Sequence, residues 1–364
     1  MVRRPPPKLV SEPVLADIAR RFAGFPVPDD PVRPRDLSLE ELRRFGLPPK
    51  PSATAPAILQ EAWRRAFGAE LRLLRFTPEE SSRLIRQAPF PITARRLRVF
   101  SAPASPVDTS GNWAGAYVTA NRGRRFTQIW GAWGVPKDLT RPPPPRDGVP
   151  GLPSMCSHWI GLDGQRRYLD ASLPQVGTAS EMDVDGTKLA RSWVQWWARD
   201  APANLPTWLT LPTAPGDDVV AVLTAVDPQN VEAVLVNLRS PVPVGMAIAI
   251  GAPTVVVAGA EVTPAIAGVT AEWIVERPSI PGGGRIFNLP DYGASTFETC
   301  VAVECAAVDL QELASGIPQR LHGARLIRMV EVEADPPTRV ALLSLARRVG
   351  PSSVRVAYGG FGHP

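Results

Sequence analysis

From about residue 108 onward the chain is a succession of strand-length runs, each cut short by Gly, Pro, Asn or Asp, and this limits the open folds more than any other feature. The runs at 127–133, 192–197, 219–225, 232–238, 247–250, 254–257, 270–276, 299–303, 326–332 and 353–358 are rich in β-branched or aromatic residues. No helical crossover pattern separates them. The arrangement therefore predicts an all-β fold, an antiparallel β-sandwich, and speaks against βαβ units. The 42 prolines and 29 glycines show no collagen period and act as punctuation. Residues 136–153, where four prolines follow Arg141, are predicted to be loop because proline cannot sit in a central strand.

Residues 1–104 differ in kind. They are rich in Arg and Pro and read as a helical N-terminal extension to a β domain spanning 105–364. Ser38 and Glu41 form a capping-box pair ahead of Leu42, and Gly46 is placed to end that helix. Thr77, Pro78 and Glu80 give a second helix start. Between them Ile58, Ala62, Trp63, Phe67, Leu71 and Leu74 recur at helical spacing, which predicts an amphipathic helix packed on the following domain or a neighbouring helix.

Charge and composition exclude several function classes. The net charge of +5 comes from Arg scattered among Asp and Glu, so no nucleic-acid partner is expected. No stretch of ~20 apolar residues qualifies as a membrane span, and no apolar run follows the basic start, so the start does not read as a secretory signal and none is expected. A soluble chain, cytoplasmic by default and monomeric, is the expectation. Three cysteines, Cys156, Cys300 and Cys305, leave at least one thiol without a partner in the chain and make no zinc pattern. The histidines, His158, His322 and His363, lack ligand spacing, so neither a metal nor another cofactor is expected. No Gly-x-Ser-x-Gly elbow supports a Ser-His-Asp triad.

The strand at 271–276, Ala-Glu-Trp-Ile-Val-Glu, sorts itself into two faces: Ala271, Trp273 and Val275 on one, Glu272, Ile274 and Glu276 on the other. The first is a core face. The second carries two carboxylates among aromatic residues, where a carboxylate can serve as a general base. Read as a strand, the segment at 158–164 places Trp159, Gly161 and Asp163 in line, and that at 193–197 points Trp193, Gln195 and Trp197 one way. Ten tryptophans is high, and many fall in these segments, which suits either a core or a binding groove.

Taken together, Asn112-Trp-Ala-Gly115, Trp159-Ile-Gly-Leu-Asp-Gly164, Gln175-Val-Gly177, the Trp-rich strand at 193–197, Gly216-Asp217, Asn237-Leu238, 271–276 and Asp291-Tyr-Gly293 resemble the glutamic peptidase family, the eqolisins. The resemblance covers roughly residues 108–358. It implies a concanavalin A-like, jelly-roll sandwich and an acid endopeptidase acting on proteins or peptides without a metal. It also implies a catalytic dyad of Gln175, placed before a short glycine-containing turn, and Glu276, with Glu272 on the same face as an open alternative. Trp113, Trp159, Asp163, Trp193 and Trp197 match positions lining the family's cleft. The chain departs from the family's common Trp-Tyr-Glu-Trp-Tyr in having Val194, Gln195 and Trp197 there. The family is usually secreted and made with a propeptide, which makes 1–104 a propeptide-like candidate. The alternative is a non-catalytic or carbohydrate- or peptide-binding sandwich of the same shape. A glycosidase pair of Glu272 and Glu276 is disfavoured, since four strand residues separate them by about 13 Å.

Overall fold

The computed structural model describes residues 11–87, 107–141, 153–165, 172–201, 204–239, 241–279, 286–332 and 340–362. Its N-terminal part contains α1 (Glu12–Arg21), β1 (Phe22–Gly24), α2 (Leu39–Arg44), α3 (Ala57–Phe67), β2 (Arg72–Leu73) and α4 (Pro78–Gln87). Strands follow: β3 (Val107–Ser110), β4 (Trp113–Thr119), β5 (Arg125–Gly134), β6 (Ser154–Leu162), β7 (Ser172–Met182), β8 (Lys188–Ala198) and β9 (Thr207–Trp208). After them come β10 (Asp218–Asp227), β11 (Asn230–Asn237), β12 (Val244–Gly251), β13 (Val255–Val257), β14 (Ala260–Val262) and β15 (Thr270–Glu276). The chain ends with β16 (Ala294–Cys305), β17 (Ile317–Gln319), β18 (Arg325–Val332), β19 (Val340–Gly350) and β20 (Ser353–Gly362).

The expected β-sandwich is what these strands build. One sheet runs β12, β11, β10, β5, β16, β17, with β1 and β2 added to the free edge of β12. The other runs β9, β8, β7, β6, β15, β4, β18, with β3 parallel to β18 and β19 and β20 continuing the layer. Strand β16 belongs to both: its first residues pair with β20 and its later ones with β5. The change of sheet falls at Thr299, whose φ of +55° bends the strand where the register slips between Glu298 and Val301.

The interior is fixed by Trp273. Its Nε1 donates to Trp130 O at 2.8 Å across the sandwich. A Cβ on Gly131 would come within 2.7 Å of Ile160 and 3.1 Å of the Trp273 ring, so a glycine is needed there for the two sheets to meet. Ala271, Trp273 and Val275 thus face the core, as their alternation predicts, and Glu272, Ile274 and Glu276 face away from the opposite sheet. All three cysteines are free and buried.

Two N-terminal helices, α2 and α4, begin where their sequence signals predict. Ser38 Oγ accepts from the Glu41 N–H at 3.2 Å while the Glu41 carboxylate accepts from the Ser38 N–H at 2.8 Å, and α4 starts at Pro78. Helix α3 is shorter than its apolar spacing suggests. It stops at Phe67, leaving Leu71 and Leu74 outside, because the chain turns to hydrogen-bond in extended form: Leu71 with Val32, and the Leu74 N–H to Gly245 O at 2.8 Å. Tertiary pairing overrides helical propensity there.

Trp63, Phe67 and Leu71 cover the outer face of the first sheet over Trp130, Val220, Val222, Val234 and Val236. Phe67 meets Trp130 edge-on at 6.1 Å between centroids. Phe67→Ala is expected to cost about 3–5 kcal/mol in urea unfolding. A loss below about 1 kcal/mol would mean that this face is not seated as described. With β1 and β2 completing the sheet edge, the N-terminal residues and the sandwich share cores.

Candidate active site

Cross-strand register builds a face of three rows on the sheet that carries β15. In an antiparallel pair, residues directly opposite share a face. The first row is Gln195, Gln175, Gly161, Glu272 and Tyr117; the second is Trp193, Gly177, Trp159, Ile274 and Gly115. The third is Arg191, Ala179, Ser157, Glu276 and Trp113. The two glycines of the middle row leave Trp159 and Ile274 as the floor of a trough. Polar rows flank it, with Gln175 on one side of Trp159 and Glu276 on the other. Trp197 lies one row beyond Gln195, opposite Leu173, and is half-buried.

The Glu276 carboxylate is gripped by two motifs from distant parts of the chain. Its Oε2 accepts from Trp159 Nε1 at 2.9 Å and its Oε1 from Asn112 Nδ2 at 3.2 Å. Both donors are neutral, so they orient the carboxylate without removing its ability to take a proton. The Trp159 ring is held edge-on against Trp113, 5.0 Å between centroids. Glu272, four residues along β15, accepts from Thr270 Oγ1 at 3.0 Å.

Gln175 sits within β7 and not before a turn: Gln175, Val176 and Gly177 are consecutive residues of one strand. Here the structure corrects the sequence expectation. Gly177 pairs with Trp159 as a strand residue, and a Cβ there would collide with the His158 carbonyl oxygen and Trp159 Cβ. The Gln175 Nε2 donates to Gln195 Oε1 at 2.7 Å. Gln175, Glu272, Gln195 and Glu276 are each 0–1 % exposed, so the trough is closed over in this structure.

Asp163 is placed differently from its sequence expectation. Strand β6 ends at Leu162, and Asp163 takes φ +64°, so it does not continue the line of Trp159 and Gly161. Its carboxylate turns to the loop before β15 and to that strand's first residue. There it accepts backbone N–H bonds from Ala267 (2.7 Å), Gly268 (3.1 Å), Val269 (2.7 Å) and Thr270 (3.4 Å). Burial raises its pKa against the opposing pull of those donors. Asp163 therefore shapes the entry to β15.

Three residues were not singled out as site members from sequence. Asn112 was visible only as part of its motif, whereas Tyr117 and Asn204 carry no local signal. Tyr117 ends the first row and donates to Asp108 at 2.7 Å, where Arg325 also binds at 2.9 Å. Asn204 lies in the turn after β8, and its carbonyl accepts from Gln195 Nε2 at 2.7 Å. Among the described residues no group of three or more His, Cys, Asp or Glu could hold a metal ion, and no helix is long and apolar enough to cross a membrane.

The model of the Peptidase A4 family matches residues 111–332. No curated protein matches the chain. Among solved structures, scytalidoglutamic peptidase with a transition-state analogue inhibitor is 17% identical, with a TM-score of 0.46 over 68% of this chain and 98% of that one. SCP-B, a member of the eqolisin family in complex with the tripeptide Ala-Ile-His, is 18% identical, with a TM-score of 0.44 over 68% and 98%. Aspergilloglutamic peptidase from Aspergillus niger is 20% identical, with a TM-score of 0.39 over 56% and 99%.

Proposed function

The chain belongs to the Peptidase A4 family and is by that membership a peptidase, and from this premise we propose that it cleaves proteins and peptides internally at acid pH, with Glu276 as general base and Gln175 as its partner. The observation that carries this reading is the convergence of Trp159 and Asn112 on the two oxygens of Glu276, which faces the same trough as Gln175. Gln175 lies two strands away and level with Glu272, so that the Gln175 and Glu276 side chains must reach toward each other over Trp159. Ionised Glu276 takes a proton from water as the water oxygen attacks the scissile carbonyl carbon. Gln175 steadies that water and donates its remaining amide N–H to the oxygen on which negative charge develops. Protonated Glu276 then gives its proton to the amine nitrogen as the C–N bond breaks. An amide does not titrate, so Gln175 keeps its donor at acid pH.

One observation favours a second reading, in which Glu272 is the base: it shares Gln175's own row, with only Gly161 between them.

Because the trough is closed, substrate reaches it only once its cover moves. Residues 1–104 are the propeptide-like candidate for that cover; among the described ones α4 packs against β9 at the edge of the site sheet, whereas α3 lies on the other sheet. The test is cleavage of a denatured protein between pH 2 and 7. The expected result is cleavage at the acid end after a lag in which the N-terminal segment is itself cut. An immediate full rate by the intact chain counts against the cover, and no cleavage at any pH, before or after that cut, counts against the peptidase reading.

A further inference from the structure

We propose that Gln195 is a positioning residue that fixes which end of the Gln175 amide faces the reacting carbonyl, and that the backbone carbonyl of Asn204 sets the direction. The inference rests on the role given above to Gln175. A backbone carbonyl can only accept. Gln195 must therefore turn its Nε2 to Asn204 O, at 2.7 Å, which leaves its Oε1 facing β7. That oxygen accepts from Gln175 Nε2, also at 2.7 Å, from the residue directly opposite in the register. Gln175 Oε1 is consequently directed away from Gln195; it is buried and has no hydrogen-bond partner among the described residues.

The source of the relay is itself pinned. Asn204 Oδ1 accepts from the Ala198 N–H at 3.0 Å, and its Nδ2 donates to Ala198 O at 2.7 Å. The turn after β8 thus holds the Asn204 carbonyl against Gln195. A glutamine amide is nearly symmetric in shape, so nothing but its partners distinguishes its two orientations. The one-way chain Asn204, Gln195, Gln175 removes that ambiguity before substrate arrives.

A carboxylate at 195, which the resembling family commonly carries, could not do this in its ionised form. It would bring negative charge against the Asn204 carbonyl with no proton to donate. Only the protonated acid could donate to Asn204 and accept from Gln175. Among the described residues, the ionisable groups around residue 195 are Lys188 and Arg191 on β8, Glu181 on β7, Arg199 and Asp200 just past β8, Glu79, Glu80 and Arg83 on α4, which packs on β9, and Glu272 farther along the Gln175 row. Of these, Arg191 lies over the Trp208 ring, 5.6 Å from its centroid, at β9.

The test compares the full-length parent with Gln195→Met and Gln195→Glu, reading kcat and KM from pH 2 to 7 and the 15N–1H signals of the Gln175 side-chain amide. Gln195→Met is expected to lower kcat about 10- to 100-fold with KM within about threefold, and to shift the Gln175 amide signals. Gln195→Glu is expected to recover most of the lost kcat, and the parent-like amide signals, at the acid end only, losing both as pH rises. An unchanged kcat in Gln195→Met overturns the proposal. So does a fall in kcat with the Gln175 amide signals unmoved, which would mark a merely structural effect. A chain that cleaves nothing would remove the peptidase reading, yet the amide signals would still decide whether Gln195 orients Gln175.

Discussion

Replacing Glu276 by Gln is expected to lower kcat by at least about 10³-fold across the active pH range while KM stays within about threefold. The substitution keeps the shape and the two acceptor-side contacts only in part. Glutamine has one carbonyl oxygen to accept from Trp159 Nε1 or Asn112 Nδ2, whereas the carboxylate accepts from both. The dominant loss is chemical: an amide cannot take the proton of the attacking water. Glu272→Gln, whose carboxylate accepts from Thr270 Oγ1, is expected to cost about tenfold or less. If the sizes are reversed, Glu272 is the base and the shared row with Gln175 decides the chemistry. Melting temperatures of the two variants, measured alongside, separate loss of chemistry from loss of fold.

Acid is expected to weaken the fold through His158. The ring is fully buried, bonded through Nε2 to Ser295 Oγ at 2.8 Å and flanked by Tyr292 and Phe297 at 5.8 and 6.0 Å. Burial lowers its pKa from 6.5 to about 3. Between those values the unfolded chain binds a proton that the folded chain refuses, so stability is fully present above about pH 6.5 and falls as pH drops toward 3. At 1.36 kcal/mol per unit, the loss reaches up to about 5 kcal/mol. Asp163 works in the opposite sense, since a raised carboxyl pKa makes the folded chain bind the extra proton and adds stability as pH falls. His158→Gln removes the first effect and leaves the second. Urea unfolding at pH 6.5 and 3.5 should show a loss in the parent that exceeds the loss in the variant by about 4 kcal/mol. Equal losses would mean that His158 does not limit acid stability. Under the acid-peptidase reading proposed above, the consequence is a working range bounded below by the fold as well as by the need for an ionised base.

Alternation along a strand was legible from sequence. The segment at 270–276 is β15 with the residues and the two faces its pattern predicts, because Trp273 inside and glutamates outside leave one way to bury it. The capping box at Ser38 was equally readable, since its signal is local. Register was not. Nothing in the order of residues says that Glu272 falls opposite Gly161, in one row with Gln175, while Glu276 falls opposite Ser157, and that placement shapes the candidate site. The turn expected at Gly177 is strand, because pairing with Trp159 demands a residue without a Cβ and not a change of direction. Asp163 leaves its predicted face because three backbone N–H groups before β15 and that of its first residue require an acceptor, and a left-handed φ delivers it. Each miss came from a partner distant in sequence.

The account stands on Gln175 and Glu276 acting as one unit on one water, and a double-mutant cycle tests that most directly. kcat is measured for the parent, Gln175→Ala, Glu276→Gln and the double variant at the pH where the parent is most active. Residues that share a single step lose little more together than the worse of them loses alone. The double variant is therefore predicted to lie within about threefold of Glu276→Gln. Losses that multiply, or a cycle in which Glu272 and not Glu276 is the residue coupled to Gln175, would contradict it.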